Sequence, residues 1–280
     1  MVTRGLRLAA LALLCAGMGS ATALAAGPDP GVEQGGVGLT RGKVRYVAIP
    51  MGGQTAVEAI SRTSGRILRY VAVPGTFGIP RVAYDGSIDG LSADGRTLVL
   101  GETRRVQFRK STSFAVIDVP KLKLRTIVKL RGDFSFDALA PDGRTLYLIE
   151  HVSKQDALRY RVRAYDLAAG VLLSKMVTDK RRWQSVMLGI PLARASSSDR
   201  RWVFTMYGGG AHLFVHSLDT REAYAVCIDL PASLKGIDMG RLRMRMEGDD
   251  RLVVRASVGG KRLVVLDTKK FRVVSVVSNP

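Results

Sequence analysis

A ten-residue phrase occurs twice in this chain, as Leu91-Ser-Ala-Asp-Gly-Arg-Thr-Leu-Val-Leu100 and as Leu139-Ala-Pro-Asp-Gly-Arg-Thr-Leu-Tyr-Leu148, with Asp94 and Asp142 48 residues apart. Weaker copies follow at Ser198-Asp-Arg-Arg-Trp-Val-Phe204 and Gly248-Asp-Asp-Arg-Leu-Val-Val254. Each is a polar turn that opens into an apolar, β-branched run.

A second marker keeps step with the first. In Val116-Ile-Asp-Val119, Ala164-Tyr-Asp-Leu167, Ser217-Leu-Asp-Thr220 and Val265-Leu-Asp-Thr268 an apolar run ends in Asp, and the positions 118, 166, 219 and 267 are spaced by 48, 53 and 48 residues. Ser61, in Ala59-Ile-Ser-Arg-Thr-Ser-Gly-Arg-Ile67, holds the same place 57 residues before Asp118. Five units follow, and repeats of roughly 40 to 50 residues built of short strands are propeller blades. The repeated residues shape turns: Asp accepts backbone N–H groups two residues on, and Gly65, Gly95, Gly143 and Gly170 supply positive φ.

Alternation and turn positions predict four strands per unit. Unit three gives 134–140, 145–151, 161–167 and 171–177; unit two gives 82–92, 97–103, 114–119 and 125–130. Unit four is read through 202–207, 212–217 and 223–229, and unit five through 251–256, 263–267 and 271–277. Unit one offers 43–50, 55–61 and 67–73, three strands unless Gly36 to Thr40 or the C-terminal end supplies a fourth. The expectation is an all-β chain: a β-propeller of about five four-stranded blades over 43–280, its first blade short, preceded by a flexible Gly/Pro-rich linker at 27–42. The best helical stretch, Pro231 to Met239, is short.

Residues 1–26 read as a signal peptide. Arg4 and Arg7 precede the apolar run Leu8 to Gly17, and Ala23-Leu-Ala25 is a small-x-small site predicting cleavage near Ala25 or Ala26. The run is too short to span a bilayer. Cys15 follows Leu13-Leu14 and lacks the small neighbour a lipid-attachment signal needs. A secreted or periplasmic protein with no transmembrane segment is expected. It would keep one cysteine, Cys227, read as a buried hydrophobe in an apolar strand.

The chain carries a net charge of +19. Such a field draws polyanions, and the candidate surface is three basic alternations: Arg159, Arg161 and Arg163; Arg241, Arg243 and Arg245; and Lys121, Lys123 and Arg125. Alternation puts each trio on one strand face. Arginine-rich composition written onto solvated faces explains the same pattern. Aromatic residues are 6% of the chain and scarce among the basic ones, so nucleic acid is not an expected partner.

No catalytic motif is present. His151, His212 and His216 are the only histidines; the last two, four apart in a predicted strand, would stand about 13 Å apart at about 3.3 Å per residue, too far to share a metal ion. There is no nucleophile elbow, phosphate loop or cysteine cluster. No catalytic residue, metal or cofactor is assigned. One constellation stands out: Asp89 and Asp137 each lie five residues before the repeated Asp, on what would be the innermost strands of neighbouring blades. The equivalent places in units four and five are Arg194 and Arg245. Together the four would ring one mouth of the channel, as a ligand site or as salt bridges between blades.

Ala140-Pro-Asp-Gly-Arg-Thr-Leu-Tyr-Leu148 with Arg163-Ala-Tyr-Asp-Leu-Ala-Ala-Gly-Val171 resembles the repeats of bacterial secreted β-propellers of the YVTN and WD40-like (PD40) types, the latter known from the TolB propeller. The resemblance spans residues 43 to 279 and is strongest over 82 to 180. It implies the fold and an exported repeat protein; functions in such families run from envelope scaffolds to lyases and lactonases, so it carries over no active-site residue. The chain departs in lacking the His-Asp signature of WD40 blades, and in having five units where those relatives have six or seven. The expected function is a binding or scaffold module of the cell envelope, its partner an envelope protein or an anionic polymer. The alternatives are a propeller lyase or hydrolase with its site at the channel mouth, and a charge-driven binder of anionic surfaces.

Overall fold

The computed structural model describes residues 29–103, 108–181, 186–210, 212–234 and 237–277. The expected signal peptide and its cleavage site lie outside the described residues. Strand β1 (Val32–Glu33) precedes the first blade, β2 (Gly38–Arg41), β3 (Val44–Met51), β4 (Gln54–Ser61) and β5 (Ile67–Pro74). The second blade is β6 (Phe77–Pro80), β7 (Thr97–Glu102), β8 (Ser111–Asp118) and β9 (Lys123–Arg131). The third is β10 (Asp133–Leu139), β11 (Thr145–His151), β12 (Arg159–Asp166) and β13 (Val171–Val177), with β14 (Met187–Leu188) added beside β12. The fourth is β15 (Ile190–Ser196), β16 (Trp202–Gly208), β17 (Phe214–Asp219) and β18 (Tyr224–Asp229). The fifth is β19 (Arg243–Glu247), β20 (Arg251–Arg255), β21 (Arg262–Asp267) and β22 (Arg272–Val276). Each blade is an antiparallel meander in sequence order, and the five make a β-propeller.

The middle strands read as continuous apolar runs because both their faces are buried. In β11, Leu146 and Leu148 pack toward blade two while Tyr147 and Ile149 pack toward blade four. In β8, Phe114 and Val116 face blade three, and Ala115 and Ile117 face blade one. Four apolar clusters result, between blades one and two, two and three, three and four, and four and five. Among the described residues no such cluster joins blade five to blade one.

Several boundaries differ from the sequence reading. The first blade has its fourth strand, supplied by Gly38–Arg41, one of the two options left open. The stretch 27–42 therefore contains two strands, β1 and β2, where a linker was expected. A Cβ on Gly78 would stand 2.5 Å from the Glu33 carbonyl, so glycine there is what lets β1 lie against β6. The predicted strand at 82–92 is interrupted: β6 ends at Pro80, residues 81–88 leave the ladder with Arg81 bridged to Ile88, and Leu91 rejoins it opposite Leu98. The chain turns at Tyr84-Asp85-Gly86, where the Gly86 N–H donates to the Ala83 carbonyl at 3.3 Å. The Pro231 to Met239 stretch becomes two single 3-10 turns, Ala232–Leu234 and Met239–Arg241.

The excursion at 81–88 crosses from blade two to blade four. Tyr84 N–H donates to the Pro191 carbonyl at 2.9 Å, and Asp85 Oδ2 accepts the Arg194 N–H at 3.2 Å. Pro191 sits on an innermost strand, whose inner edge has no ladder to break. The channel that five innermost strands would line is thus spanned by the chain itself. At the return, Gly90 has φ +131, and a Cβ there would meet the Val99 carbonyl at 2.5 Å. Behind β1, buried Arg109 donates to Asp133 Oδ1 at 2.8 Å and reaches Asp29 at 3.4 Å, which pins the first described residues between blades two and three.

Candidate functional site

Three of the four channel residues converge and one does not. Asp137 lies at a bulge in β10, where the register with β11 skips one residue between Phe136 and Ala138, and the bulge aims its carboxylate toward blade four. There Arg194 Nη1 donates to Asp137 Oδ1 at 2.7 Å and to Thr205 Oγ1 at 2.5 Å, while Nη2 donates to the Asp137 carbonyl. The two side chains are only 3% and 5% exposed. Asp89 is also buried; it accepts the Gly90 N–H at 2.7 Å and is ion-paired to Arg200. Arg245 is the correction: 71% exposed beside Glu247 at 3.5 Å, it points away from blade four while its neighbours Met244 and Met246 pack toward it. The blade-five turn is one residue shorter, since Glu247 pairs with Arg251 across residues 248–250 whereas Ser197–Trp202 and Ala140–Thr145 each enclose four residues, so counting back five residues lands on the opposite face.

Arg200 completes the site in Arg245's stead. It occupies the turn position that Gly95 and Gly143 hold in blades two and three, and it keeps their geometry, with φ +57 against +70 and +68. A non-glycine residue there is strained by about 1 kcal/mol. Arg200, Arg194, Asp89, Ser87 and Ser196 line a cavity of about 270 Å³ beside the crossing segment. The sequence held the signal for Arg200, an Arg in the glycine place of the phrase. Asp85 had no repeat partner to mark it.

Blade four presents a polar row to blade three. Arg194, Thr205 and His216 are cross-strand neighbours, and Cys227 follows on β18. His216 is buried and stands edge-on to Tyr207 at 6.3 Å between ring centres. Burial lowers its pKa to about 4, against the Asp137 carboxylate, which pulls the other way. Tyr207 stacks on Tyr160 at 5.0 Å, and burial raises both phenols well above their ordinary range. Asp137 Oδ2, Arg194 Nε and His216 Nε2 have no protein partner.

The remaining histidines have structural bonds. His151 meets Ser135 Oγ at 2.7 Å, and His212 lies before β17 rather than in it, 3.0 Å from Asp229. Cys227 is half-buried, not buried as expected. Among the described residues no group of three or more His, Cys, Asp or Glu side chains is placed to hold a metal ion.

The basic alternations are dispersed. Arg159 is exposed and Arg161 half-buried, but Arg163 is bonded to Glu150 at 2.8 Å and to the Leu173 carbonyl at 3.0 Å. Arg241 lies in a 3-10 turn, not in the strand with Arg243, and Arg243 donates to the Gly240 and Leu242 carbonyls. Lys121 and Lys123 are exposed, whereas Arg125 ties blade two to the Leu167 carbonyl of blade three at 3.2 Å.

These features define a five-bladed β-propeller whose channel is spanned by its own chain and whose buried charges sit where blades two, three and four meet. No family model matches the chain, and no curated protein matches it. Among solved structures it is similar to the Dos1 propeller (11% identity, TM-score 0.49, covering 85% of this chain and 56% of that one) and to TolB from Acinetobacter baumannii (14%, 0.43, 82% and 53%). A prolyl endopeptidase structure is also similar (13%, 0.47, 88% and 34%). The chain spans about half the length of the first two and a third of the last. The propeller assignment rests on the five sheets themselves.

Proposed function

We propose that this protein is an exported binding or scaffold module of the cell envelope. The observation that carries the reading is the spanned channel: the 81–88 crossing and the Arg194–Asp137 pair occupy the place where a propeller enzyme would keep its pocket. Contact with an envelope protein or an anionic polymer then falls to the blade faces and turns of a strongly basic chain. No described helix is long and apolar enough to cross a membrane. Fractionation of the producing cell with N-terminal sequencing tests it: the expected product begins just after Ala25 or Ala26 and lies outside the cytoplasm. An intact Met1 on a cytoplasmic protein overturns the reading.

The cavity beside Asp89 favours a second reading, a small charged ligand at the channel mouth. Its outer ion pair, Arg200–Asp89, is partly open to solvent, with the Arg200 side chain 34% exposed. A ligand enters by exchanging with one half of that pair, so its binding weakens with salt. Arg200→Gly abolishes such binding, and unchanged binding in that variant removes this reading.

A further inference from the structure

The largest of the described cavities, about 560 Å³, lies in the turn face between blades four and five, away from the channel. Blades two and three close the equivalent place. There Asp94 N–H donates to the Pro141 carbonyl at 3.1 Å, and Gly143 approaches Thr97 so closely that a Cβ would stand 2.5 Å from its hydroxyl. Between blades four and five the only side-chain bond across the gap is Ser198 Oγ to Asp249 at 3.5 Å, among the described residues.

Two departures from the repeat build the floor. Trp202 stands where the phrase has Thr97 and Thr145, each opposite the marker Asp of its blade. Phe271 stands where the last turn of other blades has Gly65 or Gly170, and it keeps a positive φ of 48. The rings meet at 4.9 Å and 53°, their undersides packed on the apolar cluster of blades four and five. Leu122 takes the same strained place in blade two and is buried in the core, whereas Phe271 stays half-buried at a cavity wall.

The rim is polar and balanced in charge, with Asp199 and Asp249 against Arg201 and Lys269. Arg201 is already held by a forked bond to Asp219 at 2.7 to 3.2 Å, and Asp199 by the Ser197 hydroxyl at 2.6 Å and the Arg201 N–H at 3.0 Å. The rim charges sum to zero, so a ligand with net charge meets no net counter-charge in this groove, although the chain as a whole is strongly basic. An aromatic floor takes the C–H face of a flat, hydroxyl-rich ring. Fixed carboxylates, hydroxyls and a guanidinium around it take the ring's own hydroxyls.

We infer that the groove between blades four and five binds an uncharged saccharide unit, with Trp202 and Phe271 beneath the ring and Asp249, Ser198 and Thr268 at its edge. The site is independent of the channel mouth. Calorimetric titration with uncharged cello-, malto- and chito-oligosaccharides tests it, alongside sulfated and uronic-acid oligomers. The expected result is saturable binding of at least one uncharged series, little changed by 0.5 M salt. Trp202→Leu weakens that binding at least tenfold, and Asp249→Asn, a surface change that leaves the fold intact, weakens it severalfold. The inference is overturned if no uncharged oligomer binds at millimolar concentration, if only anionic oligomers bind and salt suppresses them, or if Asp249→Asn and Trp202→Leu bind as the parent does.

Discussion

Blades two and three obey the repeat, and blade four breaks it. In the first pair Asp-Gly-Arg-Thr turns carry glycine at positive φ, and the junction between them is an apolar cluster led by Val99, Phe114, Phe134 and Leu148. In blade four Arg200 replaces the glycine and Trp202 the threonine, and the face toward blade three carries Arg194, Thr205 and His216. Both large cavities touch its first hairpin. Faithful turns here are architecture; the first hairpin of blade four, with a strained arginine in its turn and a polar row on its face, is where side chains have been freed for other work.

The widest difference between the two regions lies in the buried pair. Arg194→Met leaves Asp137 buried and alone, and costs about 3–5 kcal/mol of stability by urea unfolding. The double variant Arg194→Met with Asp137→Leu recovers most of that loss, because the desolvation cost goes with the charges. A small loss in the single variant would make the junctions of blade four no different from those of blade three.

Acid comes next. His216 stays neutral in the folded protein down to pH about 4, while in the unfolded chain it takes a proton below its ordinary 6.5. Its share of stability is present above pH 6.5 and is lost as pH falls from 6.5 toward 4, about 2 kcal/mol by pH 5. His216→Gln removes that slope, as followed by urea midpoints at pH 7 and pH 5; an unchanged slope would place the acid sensitivity elsewhere.

The turn glycines give the smaller contrasts. Gly143→Ala combines positive φ with a Cβ against the Thr97 hydroxyl, and costs about 1–2 kcal/mol. Arg200→Gly, in the matching turn, relieves strain as it leaves Asp89 unpaired at a solvent-reached cavity, and shifts stability by less than about 1 kcal/mol. If the two effects are equal, the turns of blades three and four are interchangeable and the comparison fails.

The blade count was legible because the turn Asp recurs at 118, 166, 219 and 267 whatever the strands contain. The innermost strands were less so: β2, β6 and β15 contain Gly38, Pro80 and Pro191, residues that argue against strand in a sheet interior; β2 and β15 have no ladder partner on the inner edge, and Pro80 ends β6 beside the two-residue β1. Counting back from the repeated Asp located Asp89, Asp137 and Arg194, since one residue per blade at a fixed offset keeps its place at the channel. It misplaced Arg245 because the blade-five turn is one residue shorter than those of blades three and four, which flips the face at a fixed count. The crossing of residues 81–88 to blade four is a tertiary contact without repeat equivalent, and the alternation there read as one strand over 82–92.

The closed channel depends on that crossing, and amide hydrogen exchange resolved to single residues measures it most directly. Val82, Tyr84 and Asp89 donate to Ser87, Pro191 and Pro80 at 2.9, 2.9 and 3.0 Å. Their amides should exchange orders of magnitude more slowly than unprotected ones, with Tyr84 losing its protection when Arg194→Met loosens β15. Exchange of Tyr84 at the unprotected rate in the parent protein would mean that the segment does not span the channel.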